Sequence, residues 1–165
     1  MILGLTVLQF TLLHVGISFV GIIAGLIAMP AFATGRRLPA ITGIFLGTTA
    51  LTTLTGFLFP ITVITPALIT GGVSCAVLIV ALTALYAYGL RGAAGIVYAI
   101  SSTVALWLNV FVLVVQAFLK VPALHALAHK GNEPPFAVVQ GAVLIGMIVL
   151  GWACVRAVRR KLVVS

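Results

Sequence analysis

Ser102, Asn109 and Gln116 stand seven residues apart on one apolar stretch, with Tyr98 four residues before the first of them. On a helix a step of seven drifts by only about 20°, so these side chains make one polar stripe. An unpaired polar group is costly in an apolar surrounding, so the stripe must face protein or water. Such groups can hold a ligand by hydrogen bonds, or tie helices together at roughly 0.6–2 kcal/mol each. Gln9 and His14 in the first apolar stretch and Gln140 in the last offer groups of the same kind. His14 shares a helical face with Ser18, Gly21 and Gly25, and Gly21 with Gly25 forms a GxxxG pattern that lets helix backbones approach closely. That face is expected to look inward. Counting residues from each side places His14 and Asn109 at similar depth, where they are expected to share a hydrogen bond. Gln9, Gln116 and Gln140 are expected to form a second layer nearer the outer surface.

Other chemistry finds little material. His125 and His129 are four apart, a spacing that puts two imidazoles on one helix face as metal ligation needs, but only Glu133 is near enough in sequence to serve as a third ligand. The alternative is an interfacial turn of helix with the histidines toward water. Glu133 is the sole acidic residue, and it precedes Pro134-Pro135, where a carboxylate suits a helix N-terminus. General acid–base catalysis commonly uses carboxylates or histidine in a shielded site, and no phosphate loop, nucleophile elbow or HExxH pattern is present. The chain therefore does not read as an enzyme, and no cofactor is expected. Haem would need a second histidine at the depth of His14, which no other apolar stretch supplies. Cys75 and Cys154 sit in apolar runs outside any CxxC pair and read as small hydrophobes.

The elements that position these groups follow from composition. Of 165 residues, 63% are hydrophobic and 6% charged, against about a quarter charged in a soluble domain. The solvent is therefore mostly lipid. The formal charge of +8 lacks the basic patch with interleaved aromatics that nucleic acid would require. Five stretches are long enough to span, at about 2–29, 41–59, 67–88, 93–119 and 136–155, and the whole of 1–165 forms one membrane domain. Ala31-Phe32-Ala33 resembles a small-residue signal-peptide cleavage site, but the preceding apolar run is too long and lacks a basic start, so a retained span is expected. Gly43 and Gly47 repeat the GxxxG pattern in the second stretch, beside Thr48, Thr49, Thr52, Thr53 and Thr55, which are expected mainly to bond their own helix's carbonyls. Five spans put Arg36, Arg37, Arg91, Arg156, Arg159, Arg160 and Lys161 on one side and leave Lys120 and Lys130 on the other. Basic loops stay in the cytoplasm, so the N-terminus is expected outside and the C-terminus inside. The expected fold is thus an all-α polytopic membrane bundle of five transmembrane helices.

The run LNVFVLVVQAFLKVPALHALA, Leu108 to Ala128, followed by EPPFAVVQ, Glu133 to Gln140, resembles a block found in small bacterial inner-membrane proteins of unassigned function. It covers about a fifth of the chain. The resemblance implies a multi-pass protein of the bacterial inner (cytoplasmic) membrane with its functional focus near this block. In those proteins a Thr-Gln-Ser-like loop precedes the EPPF, where this chain has His129-Lys130-Gly131-Asn132.

Three functions are compatible with these residues. The leading expectation is a non-enzymatic protein that binds a quinone or lipid in the outer half of the bundle through Gln9, His14, Asn109, Gln116 and Gln140. The alternative is an accessory subunit of a larger membrane complex, or a homo-oligomer, packed through the glycine-rich faces. A haem or metal redox protein is the third. Membrane lipids are the expected partners, and nucleic acid is not one.

Overall fold

The computed structural model describes residues 1–59, 66–128 and 133–164. Among them the chain is all-helical apart from a turn closed by Ile2 and Leu5. The elements are α1 (Val7–Ala33), α2 (Pro39–Gly56), α3 (Pro66–Leu82), α4 (Ala93–Lys120), α5 (Pro122–His125) and α6 (Pro134–Val164), with a wider π turn, Thr83–Ala87, ending α3. Four helical stretches are long and apolar enough to cross a membrane: Val7–Ala33, Leu68–Ala87, Ala93–Lys120 and Pro134–Arg160.

The ends differ from the expected spans for local reasons. α1 begins five residues later than the apolar run does, because Thr6 and Gln9 close a capping box: Gln9 N donates to Thr6 Oγ1, and Thr6 N donates to Gln9 Oε1. It also runs past Pro30, whose missing N–H matters little so close to the C-terminus. Gly35, at φ +81°, then ends it: Arg36 N donates to Ala31 O and Gly35 N to Phe32 O, the paired bonds of a Schellman stop. α6 is longer than expected at both ends, starting at Pro134 and carrying the basic tail as helix.

Successive helices alternate in direction. On α1 and α2, Ser18 lies opposite Thr52, Gly21 opposite Thr48 and Gly25 opposite Phe45. On α4 and α6, Gly95 meets Val158, Thr103 meets Gly151 and Phe118 stacks on Phe136. α4 is the central element, packed against α1, α2, α3, α5 and α6. Its first half is the buried core, with Tyr98, Ala99, Ser102, Ala105 and Leu106 all enclosed; from Asn109 to Ala117 every residue is only half-buried. The tightest crossing is at Gly25, where an added Cβ would stand 2.7 Å from Leu106 Cδ1 and 2.8 Å from Phe45. That glycine lets α1 sink between α2 and α4.

Candidate functional site

The expected polar residues do not assemble into one site. His14 and Asn109 each bond to a threonine of α2 instead of to each other. His14 Nδ1 lies 2.8 Å from Thr55 Oγ1, and Asn109 Nδ2 donates to Thr49 Oγ1 at 3.0 Å. Those threonines are six residues apart on α2, about 9 Å of helical rise, so the two polar groups sit in different layers. The expected His14–Asn109 bond is therefore corrected. Gln9 is exposed and spent on the α1 cap, which removes it from any layer with Gln116 and Gln140. Gln140 Nε2 donates to Phe111 O at 3.1 Å, while its Oε1 is buried without a partner among the described residues. Gln116 is half-buried. Ser102 Oγ is fully buried beside the Tyr98 hydroxyl but outside hydrogen-bond geometry.

The threonines of α2 carry more than the sequence suggested. Thr48, Thr53 and Thr55 do bond back to Ile44 O, Thr49 O and Leu51 O. A hydroxyl can donate to its own helix and still meet a neighbour: Thr53 also pairs with Ser74 and Thr55 with His14, while Thr52 accepts from Ser18 and Thr49 from Asn109. α2 thus links α1, α3 and α4 through polar contacts. Beyond them, Phe59 packs edge-on against both Phe10 and His14.

The connection after α4 forms the short helix α5. His125 Nδ1 lies 3.3 Å from Phe118 O, and Glu133 O accepts from Ala137 N at the start of α6. His129 lies outside the described residues, and so does its pairing with His125. Among the described residues no three His, Cys, Asp or Glu side chains gather as metal ligands would.

Two adjoining cavities lie at the other end of the bundle. One, of about 300 Å³, is walled by Phe32, Arg37, Leu90, Arg91, Gly95 and Val158. The second, of about 250 Å³, includes Arg36, Arg37, Thr42, Tyr86, Leu90 and Tyr98. Phe32, Arg37 and Leu90 belong to both, so the two adjoin across a common wall. Each has arginine on it and aromatic or aliphatic surface beside it, Phe32 standing edge-on to Tyr98 at 5.2 Å. Tyr98, the inner end of the polar stripe, is the one member of that stripe to reach either cavity.

The backbone here is irregular. The π turn Thr83–Ala87 widens the end of α3, and such turns are frequent at functional sites. After it come Gly89 at φ +58°, Leu90 at +60° and Gly92 at +52°. Leucine rarely adopts a left-handed conformation, which costs roughly 1–2 kcal/mol. Here Leu90 is held by Leu90 N donating to Ala84 O at 3.1 Å and by burial of its side chain in the core. A hydrophobe strained into the wall between two cavities is the kind of feature that marks a site. The sequence held a signal for it, the Gly89-Leu90-Arg91-Gly92 turn and the Arg36-Arg37 pair, but charge alone explained those as topology determinants. No protein-family model, curated protein or solved structure matches this chain.

Proposed function

We propose that the chain is a non-enzymatic, five-span membrane protein that binds an amphipathic molecule, a quinone or lipid, with its head in the paired cavities beside Arg37 and Leu90. The supporting observation is their make-up: arginines and the apolar Phe32, Leu90 and Val158 line the same pair of cavities. The polar residues nearer the outer end offer less, because His14, Asn109 and Gln140 already bond to neighbouring helices.

Five crossings need α2 to be one of them. It has 18 residues, about 27 Å of helix, close to the roughly 30 Å of a hydrocarbon core. Its contacts run from Phe45 against Gly25 of α1 near one end to Thr55 against His14 at the other, and its threonine hydroxyls are largely satisfied within the bundle. Seven of the nine basic residues then fall on one side, which favours the N-terminus outside. The test is purification in mild detergent followed by mass spectrometry of extracted small molecules. A co-purified quinone or lipid, reduced when Ala157→Trp fills the first cavity, is the expected result; an empty protein overturns it.

A second proposal, an accessory subunit or homo-oligomer, has one observation in its favour. A Cβ added at Gly43 or Gly47 would meet nothing within 4 Å, so the GxxxG face of α2 is open to another helix. A stoichiometric membrane partner in the same preparation is the outcome that supports it.

A further inference from the structure

We infer that the paired cavities take the phosphate head of an anionic phospholipid from the leaflet on the arginine side. This rests on the amphipathic-ligand proposal above and narrows its chemistry. Three observations carry it.

The first is the convergence of charge. Arg36 and Arg37 are placed by the Schellman stop at the end of α1, and Arg91 by the left-handed turn before α4. Segments far apart in sequence thereby bring guanidinium groups to one pair of cavities, with Arg37 on both. Guanidinium presents a planar fork of N–H donors that matches phosphate oxygens.

The second is the lack of an internal counter-charge. The sequence has one acidic side chain, Glu133. It follows the far end of α4, a helix of 28 residues, about 42 Å from the turn that holds Arg91. No acidic side chain of the chain competes for these exposed arginines, and the cytoplasmic leaflet is where anionic lipid and basic pockets between helices meet.

The third is the shape of the surroundings. Phe32, Leu90 and Val158 give an acyl chain an apolar surface next to the arginines, while Tyr98 and Thr42 lie on the second cavity. A free phosphate would use the arginines and leave that apolar surface idle.

The experiment uses the full chain, delipidated in neutral detergent and titrated with phosphatidylglycerol or with phosphatidylcholine of the same acyl chains, with bound lipid counted by native mass spectrometry. Phosphatidylglycerol is expected to bind more tightly. Arg37→Gln should weaken it about fivefold, and Arg37→Gln with Arg91→Gln roughly 25-fold. Arg37→Lys, which keeps the charge and loses the fork, should bind more weakly than the parent but more tightly than Arg37→Gln, which separates loss of charge from loss of fold. Lys120→Gln, at the other end, and Arg159→Gln with Arg160→Gln, on the basic tail, should leave the preference intact.

Equal binding of the two lipids overturns the inference, and so does a preference that the tail variant abolishes as fully as the cavity variant. Displacement of the lipid by inorganic phosphate at millimolar concentration overturns the lipid source in favour of a soluble phosphate. If Arg37→Gln with Arg91→Gln changes nothing but Ala157→Trp abolishes binding, the cavity holds an amphipath without reading its charge: the broader function survives and this inference falls. If neither matters, both fall.

Discussion

At the scale of single residues, α2 acts as the acceptor for polar groups that the other helices bring inward. Thr49 receives Asn109, and Thr55 sits against His14. Interhelical hydrogen bonds in membranes are worth roughly 0.6–2 kcal/mol, and breaking one strands its partner. A double-mutant cycle of Asn109→Leu with Thr49→Val, read by unfolding in detergent, should therefore give a coupling energy of about that size. The cycle of Asn109→Leu with His14→Leu should be additive within about 0.5 kcal/mol, because the two share no partner. Coupling in the second cycle and none in the first would reverse the pairing described here.

At the scale of elements, the bundle depends on how closely α1 approaches α2 and α4. Gly21 and Gly25 lie where an added Cβ would stand 2.9 Å from Thr48 Oγ1 and 2.7 Å from Leu106 Cδ1. Overpacking of this kind typically costs 1–3 kcal/mol, or about that. Gly25→Val should lower the melting temperature in detergent, and shortening Leu106 should relieve only part of the loss, since Phe45 crowds the same point. Gly16, on the same helix, has nothing within 4 Å of its would-be Cβ; Gly16→Ala should be neutral or slightly stabilising, as alanine is the better helix former. A Gly25→Val protein as stable as the parent would mean that α1 does not seat where it is drawn.

At the scale of the whole molecule, the arrangement predicts sidedness. With α2 as a crossing, reporters fused in the 35–37 turn, in the 89–92 turn and after residue 164 should all read as cytoplasmic. Those in 60–65 and 129–132 should read as external. If α2 lay flat instead, the sides of every reporter after it would invert relative to the first turn, so the fusion after residue 164 decides the count. On that proposed sidedness the arginine-lined cavities would face the cytoplasm and the α5 connection the outside.

Much of this was legible in the chain itself. An apolar stretch in lipid must satisfy its backbone internally, so composition and segment length settled that the protein is helical and suited to a membrane. The polar stripe on α4 and the inward face of α1 followed from periodicity, as did the glycines on which α1 sinks. Partner choice did not follow. Each threonine of α2 has an obvious local acceptor four residues back, and a second role as a partner for His14, Ser18 or Asn109 exists only once the helices are docked. Nor did the cavities, whose walls draw on α1, α2, α3, α4 and α6 and on a left-handed Leu90 that no spacing announces. Periodicity within a helix is a local property of the chain; which groups from different helices share a level depends on how those helices cross, and only the tertiary structure decided that.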